Sequence, residues 1–161
     1  MGNWVKALNF HQYYSVDVVN GPGTRCVLFV SGCVHECRGC YNKSTWRLDS
    51  GKPFTPQDED KIIADLQDEL IPRQGLTLSG GDPLHPQNLS AVRHLLERVQ
   101  AECPGKNVWM WTGYKLDELT ADQQQVVELI NVLVDGKFVQ ELKDPALIWR
   151  GSSNQVIHYL R

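Results

Sequence analysis

Two periodicities of apolar residues run along the chain and predict alternating strands and helices. Runs rich in β-branched and aromatic residues are typical of strands, and they predict strands over residues 14–19, 25–30, 76–80, 107–112, 131–135 and 155–159. Apolar residues at three- and four-residue spacing predict amphipathic helices over residues 56–71, 89–99 and 121–130. Because strands and helices alternate, we expect an α/β fold with a mainly parallel sheet and right-handed crossovers.

Four polar or glycine-rich motifs each follow a predicted strand. A cysteine-containing loop over about residues 31–54, called the cysteine loop below, follows the strand that ends at Val30; SGGD follows LTL, TGY follows NVWMW, and DGKF follows NVLV. A loop of this length without periodicity is uncommon in a compact domain unless it has a function. Because active groups of parallel sheets gather beyond the carboxyl ends of the strands, we expect the four motifs to meet at one rim.

Composition narrows the class of protein. The chain has 161 residues, of which 42% are hydrophobic and 22% charged, and this is the size of a single compact domain. The formal net charge is −3 and the basic residues are scattered, which argues against a nucleic acid as partner. No apolar run approaches the roughly 20 residues that cross a bilayer, and the first ten residues lack the features of a signal peptide. We therefore expect a cytoplasmic protein that binds no membrane.

Three of the five cysteines fall within eight residues, with the spacing Cys33-x3-Cys37-x2-Cys40. In a reducing compartment such a group binds metal more often than it forms disulfides. One candidate is a [4Fe–4S] cluster, which with three thiolates would keep one iron open. The other is a tetrahedral zinc site. Zinc would need a fourth ligand, for which the candidates are His35, Cys26 and Cys103; the last two otherwise have the character of structural, buried cysteines.

The segment from Ser79 to Pro83, SGGDP, is the second candidate site. Glycine allows close approach of a ligand to the backbone, so backbone acceptors at Gly80 and Gly81 could hold an ammonium group, with Asp82 as a weaker candidate. The same residues would also suit an ordinary turn at the end of a strand. A zinc module has no use for such a loop, so its presence favours the cluster.

The C-x3-C-x2-C motif followed by an aromatic residue, here Tyr41, resembles the signature of radical S-adenosylmethionine enzymes. Within that superfamily, the phrases NGPGTRC, FVSGC, HECRGCYN, LSGGDPL, WTGY, VDGKF and RGSSNQ resemble the glycyl-radical-enzyme activases that act on anaerobic ribonucleotide reductases. The resemblance covers residues 13–161, which we interpret as one domain. Residues 1–12 add little to it and are interpreted as an N-terminal extension, a candidate for disorder.

This resemblance implies a fold, cofactors and partners. The fold is a partial (β/α) barrel with helices outside, since about 250 residues are typical of a complete barrel. The implied cofactors are one [4Fe–4S] cluster on Cys33, Cys37 and Cys40, and S-adenosylmethionine bound by residues of both motifs, namely Gly39, Cys40, Tyr41, Gly80 and Gly81. The chemistry is carried by the cluster and S-adenosylmethionine, with no catalytic acid or base. The implied protein substrate is the large subunit of the anaerobic ribonucleoside-triphosphate reductase, with an electron donor such as flavodoxin and assembly as a homodimer or as a heterotetramer with the reductase.

Two alternatives stay open at this point: a radical enzyme of the same superfamily that acts on a small molecule, and a zinc-stabilised interaction module without catalysis. Further polar residues near strand ends are weaker candidates for lining the pocket. They are Arg25, Thr112, Asp135, Lys137 and the run from Ser152 to Gln155, which could contact the ribose or adenine of the cofactor.

Overall fold

A computed structural model describes residues 8–33, 35, 37–39 and 46–161. This part of the chain forms seven strands and three α-helices. In chain order these are β1 Asn9–Asp17, β2 Arg25–Val30, β3 Lys52–Pro53, α1 Pro56–Gln67, β4 Gly75–Gly80, α2 Leu89–Glu102, β5 Asn107–Trp111, α3 Ala121–Val127, β6 Val132–Asp135 and β7 Val156–Tyr159.

All seven strands belong to one sheet with the order β3-β1-β2-β4-β5-β6-β7. The four central strands, β2, β4, β5 and β6, are parallel. The outer strands β1, β3 and β7 are antiparallel to their neighbours. The predicted α/β class is therefore confirmed, with a parallel centre and antiparallel edges, whereas closure towards a partial barrel stays a prediction.

The two faces of the sheet are covered differently. On one face the strand residues Leu28, Leu78 and Met110 pack with apolar residues of all three helices in the main hydrophobic core. The opposite face carries a separate small cluster around Trp109 and Val134, to which no helix residue contributes among those described. Within the described ranges, the helices therefore cover one face of the sheet, and the opposite face, called the helix-free face below, has no helix packed against it.

Strong local signals start two of the helices. Thr55 caps α1 in a reciprocal capping box with Asp58, and Thr120 does the same for α3 with Gln123. The predicted end of α1 at residue 71 is wrong, because the helix stops at Gln67. The predicted end of α3 at residue 130 is also too late by three residues. No helix within the described ranges combines the length and the apolar character that crossing a bilayer would require.

The first strand also differs from its predicted bounds. It was expected over residues 14–19 but begins at Asn9, inside the stretch interpreted as an extension, where Phe10 is buried and pairs with β3. It ends at Asp17 because the Asp17 carboxylate accepts hydrogen bonds from the backbone N–H groups of Val19 and Asn20, which turns the chain. The short strand β3 was not predicted, since two residues carry no detectable alternation.

Leu66 and Leu70 give a test of the helix boundary, because the sequence pattern places them on the same apolar face. Leu66 is fully buried, whereas Leu70 lies beyond the end of α1 and is 93% exposed. We expect Leu66→Ala to lower the free energy of unfolding by about 2–5 kcal/mol through loss of packing. The matched Leu70→Ala variant should change it by less than about 0.5 kcal/mol. Urea titration of the cluster-free protein measures both, and equal losses would contradict the boundary.

Candidate functional site

The carboxyl ends of the four parallel strands surround one cavity of about 180 Å³. The four motifs that follow these strands all contribute to its wall, so the predicted convergence is confirmed. The lining residues are Cys33, His35, Cys37, Trp46, Ser79, Gly80, Gly81, Trp111, Thr112, Gly113, Gly136, Phe138, Gly151 and Gln155.

The cysteine loop brings two of the three predicted thiolates to this cavity. Cys33 and Cys37 both line it, and the backbone N–H of Cys33 donates to the carbonyl of Trp46. Gly39 adopts a positive φ of 76° beside the side chain of Gln140 and does not belong to the lining residues. Cys40 and Tyr41 lie outside the described residues, so their predicted roles stay predictions.

Gly80 and Gly81 both lie in the cavity wall. Gly80 has a positive φ of 109°, and a Cβ there would come within 2.5 Å of the backbone of Val30. Only glycine fits this turn. The Gly81 N–H donates to the Val30 carbonyl at 2.8 Å, which joins the end of β4 to the start of the cysteine loop. Gly80 therefore acts as a turn residue as well as a lining residue.

Asp82 is fully buried, and both of its carboxylate oxygens are used inside the protein. One oxygen accepts from the Leu84 N–H at 2.9 Å and the Thr112 hydroxyl at 2.8 Å. The other accepts from the His35 Nε2 at 2.7 Å and the Gly113 N–H at 3.0 Å. This set of contacts is called the Asp82 junction below. A carboxylate supplied with four donors has little capacity for a ligand's ammonium group, so Asp82 is a structural residue here.

His35 enters the site from the cysteine loop. Its side chain is 4% exposed, and its ring packs edge-on against Tyr114 with centroids 4.5 Å apart. A side chain at Gly113 would overlap this ring, so the glycine of TGY makes room for it. The ligand atoms of Cys33, His35 and Asp82 lie within 4.8 Å of one another. His35 is therefore the one proposed zinc ligand near Cys33.

Cys26 and Cys103 lie elsewhere. Both are buried in the helix-covered core, where their thiols donate to the carbonyls of Ser15 and Ile63. Burial raises the pKa of both thiols, which keeps them protonated and unreactive near neutral pH. The interpretation of these two cysteines as structural is confirmed, and neither can complete a zinc site at the cavity.

The surroundings of Asp82 favour neutral side chains. Burial raises the pKa of Tyr114, and the nearby Asp82 and Cys33 raise it further. Burial lowers the pKa of His85, although the Asp82 charge opposes this shift. The Asp82 charge therefore acts on both neighbouring side chains, while its own oxygens are satisfied by the hydrogen bonds of the Asp82 junction.

The weaker candidates separate into two groups. Thr112 lies at the cavity. Arg25 does not, because it begins β2 at the opposite end of the sheet, where it is fully buried and donates to Thr77 and the Leu76 carbonyl. Burial lowers its pKa to about 10. Asp135 faces the Leu116 N–H and His158 instead of the cavity.

In the polar run from Ser152 to Gln155, Gln155 connects two loops by hydrogen bonds. The Gln155 side chain lines the cavity, but its oxygen accepts from the N–H groups of Gly151 and Ser152, and its amide donates to the Gly136 carbonyl at 2.9 Å. These bonds join the segments that follow β6 and precede β7 at the mouth of the cavity. Lys137 is exposed.

Aromatic residues of the wall were missed by the sequence reasoning. Trp46, Trp111 and Phe138 all line the cavity. Trp111 had a detectable signal, since it lies near the end of a predicted strand and directly precedes TGY, and Phe138 lies within DGKF. No pattern in the sequence indicated that Trp46, near the end of the cysteine loop, would return to the cavity.

A groove on the helix-free face continues from the cavity and shares Ser79, Trp111 and Gly151 with it. Its other lining residues are Val19, Asn20, Leu147, Ile148, Trp149 and Arg150. Trp149 has a φ of 62°, which is rare for a bulky residue. Its carbonyl accepts from the Trp111 indole N–H at 2.8 Å, and its ring packs edge-on against Trp109. These contacts fix the wall that separates groove and cavity.

Comparison with known proteins agrees with a cluster-binding site. Residues 19–158 match the family model described as a 4Fe-4S single cluster domain. This range includes all three cysteines of the motif together with the SGGDP segment. An iron–sulfur cluster is therefore supported as a cofactor of this domain.

Curated relatives match along nearly the whole chain. The proteins of Salmonella typhimurium and Escherichia coli are 75% and 73% identical over 154 residues, which cover 96% of this chain and 100% of each relative. The protein of Vibrio cholerae is 66% identical over 151 residues, covering 94% of this chain and 97% of the relative. All three carry the name anaerobic ribonucleoside-triphosphate reductase-activating protein. With identities this high over at least 97% of the length of each relative, the chain belongs to the family of anaerobic ribonucleoside-triphosphate reductase-activating proteins.

Proposed function

We propose that the chain activates an anaerobic ribonucleoside-triphosphate reductase by generating a glycyl radical on it, through reductive cleavage of S-adenosylmethionine at a [4Fe–4S] cluster. The observation that carries this proposal is that the cysteine loop and the SGGDP loop line the same cavity. When bound, the cluster and S-adenosylmethionine would supply the electron transfer and the 5′-deoxyadenosyl radical that removes a hydrogen from the target glycine. The chain itself would bind, orient and shield the reacting groups.

The donor set fits such a cluster. Cys33 and Cys37 lie together in the cavity wall, and Cys40, which completes the motif in the sequence, would be the third ligand. The other two cysteines, Cys26 and Cys103, are buried in the hydrophobic core. The fourth iron would therefore have no thiolate ligand and could bind the amine and carboxylate of S-adenosylmethionine.

The zinc module keeps one specific observation in its favour, which is the proximity of Cys33, His35 and Asp82. It predicts a colourless protein with bound zinc. Metal analysis of anaerobically purified protein distinguishes the two, and the match to a 4Fe-4S domain supports the cluster.

S-adenosylmethionine would bind across the cavity between the two loops. Backbone carbonyls near Gly80 and Gly81 would accept from its ammonium group, while Gly39, Cys40 and Tyr41 would contact the adenosyl part. Trp111 and Phe138 add apolar wall, which suits the adenosyl group and helps to exclude water.

The groove on the helix-free face offers a route for the protein substrate. It lies open to solvent beside the cavity, and Ile148 on its rim is 65% exposed. A peptide loop of the reductase could lie there with its glycine beside the shared wall at Trp111. An open groove suits a protein loop better than a small molecule, which would require a closed pocket. A one-electron donor such as flavodoxin would complete the system.

The first test detects the product directly. The protein, the reductase large subunit, a reductant and S-adenosylmethionine are combined anaerobically and followed by electron paramagnetic resonance. We expect a glycyl radical signal with the native chain and none with Cys37→Ala, because that variant loses a cluster ligand. Cys103→Ala, in the core, is the matched control and should retain the signal. A full signal from Cys37→Ala would refute the assignment.

The second test concerns the SGGDP loop. Gly81→Val places a branched side chain in the cavity wall, so the dissociation constant for S-adenosylmethionine should rise at least roughly tenfold through lost contacts. Iron content should match the native protein, since no ligand is changed. The control is Gly105→Asn, because a Cβ at this turn would have no neighbour within 4 Å and asparagine tolerates its positive φ of 85°. Unchanged affinity in anaerobic calorimetry would count against this site.

The third test concerns the groove. Ile148→Asp introduces a charge into the proposed path of the reductase loop, and we expect glycyl radical yield to fall by roughly tenfold or more, as at interface hot spots. Cleavage of S-adenosylmethionine without reductase, measured as 5′-deoxyadenosine, should be unchanged. Leu70 is also apolar and exposed, but it lies outside the groove. Leu70→Asp should therefore behave as the native chain. Equal glycyl radical yields from the two variants would contradict docking of the reductase loop in this groove.

A further inference from the structure

Three of the loops that line the cavity meet at the Asp82 junction. His35 belongs to the cysteine loop, Asp82 to the SGGDP loop, and Thr112 and Gly113 to the turn after β5. Each loop follows a different parallel strand. The junction therefore connects the predicted cluster ligands with the predicted S-adenosylmethionine contacts through side chains that have no part in the chemistry.

Backbone contacts reinforce the connection between the first two loops. The Asp82 N–H donates to the Gly32 carbonyl at 2.7 Å. The fully buried Asn88 amide donates to both the Ser31 carbonyl at 2.9 Å and the Asp82 carbonyl at 3.1 Å. The start of the cysteine loop is thus fixed by these bonds, whereas His35 holds a later part of the loop, between Cys33 and Cys37.

We propose that Asp82 is a positioning residue, which acts through His35 to hold the cysteine loop at a fixed distance from Gly80 and Gly81 and thereby couples the cluster ligands to S-adenosylmethionine binding. The proposal rests on the proposed function and adds to it a role for two residues that do not contact the reacting groups.

The energetic reason is the burial of a carboxylate. A buried carboxylate is stable only when its oxygens receive enough hydrogen bonds, and loss of one donor leaves part of that cost uncompensated. Removing the His35 donor therefore weakens the junction as a whole and also releases the cysteine loop. The effect should reach Gly113 on the opposite wall, because its N–H shares the same carboxylate oxygen with His35.

Two substitutions of His35 test this coupling, one that removes the hydrogen-bond donor and one that retains it. His35→Leu removes the donor and keeps an apolar side chain against Tyr114. His35→Gln keeps an N–H donor with similar reach towards Asp82. His11→Leu is the matched control, since His11 lies 2.8 Å from the Ser50 hydroxyl near the other end of the cysteine loop and does not line the cavity.

Two measurements are made on each variant. In anaerobically reconstituted protein, we expect His35→Leu to bind S-adenosylmethionine roughly tenfold more weakly at native iron content, because a hydrogen bond to a buried carboxylate is lost and no cluster ligand is changed. In cluster-free protein, hydrogen–deuterium exchange should be faster in peptides that cover residues 31–39 and also in those that cover residues 112–114. His35→Gln and His11→Leu should resemble the native chain in both measurements.

Native affinity in His35→Leu would overturn the proposal, as would faster exchange confined to residues 31–39 or a failure of His35→Gln to rescue. The two measurements also separate this proposal from the proposed function. If the native protein assembles no cluster or binds no S-adenosylmethionine, the proposed function fails, and the exchange of the cluster-free protein still decides whether the junction couples the two walls.

Discussion

The parallel alignment of β2, β4, β5 and β6 is the constraint on which the rest of the structure depends. Parallel strands of one sheet end at the same edge, so any loop that follows them starts from a common rim. In this chain each of the four loops carries a motif that contributes residues to the cavity wall. The hydrophobic core on the helix-covered face stabilises this alignment, while the groove lies on the face to which no described helix contributes.

The rim is then organised by polar contacts rather than by further packing. Asp82 collects donors from three loops, and Gln155 holds Gly136 and Gly151 together at the mouth of the cavity. Such buried, satisfied polar networks specify one arrangement more sharply than apolar contacts, because an unmatched donor or acceptor is costly. A preorganised rim suits the proposed reaction, in which an electron would cross between two cofactors at a fixed separation.

Much of this could be predicted from the sequence, since the signals involved are local. The spacing of the apolar residues identified the central strands and the faces of the helices, and the three-cysteine motif pointed to the cavity. The pattern failed at Leu70, because a periodic apolar residue can follow the end of a helix and lie exposed. It also failed at Asn9 and Phe10, which pair with β3, a strand of only two residues.

The remaining features depend on contacts between distant segments. The partnership of His35 with Asp82 joins residues 47 positions apart, and no local pattern encodes it. The sequence interpretation considered Asp82 as a weak ligand candidate and His35 as a zinc ligand, whereas the structure uses each to satisfy the other. The contacts of Trp149, whose φ is positive, likewise join it to Trp109 and Trp111, which lie about 40 positions away in the chain.

The central claim is that the cavity holds a cubic cluster with one iron that lacks a protein ligand. Mössbauer spectroscopy of protein reconstituted with ⁵⁷Fe, recorded with and without S-adenosylmethionine, tests it most directly. We expect one of the four irons of a [4Fe–4S] cluster to change its isomer shift when S-adenosylmethionine is added, while the other three do not. Four irons that are unaffected by S-adenosylmethionine, or a protein that assembles no cluster, would contradict it.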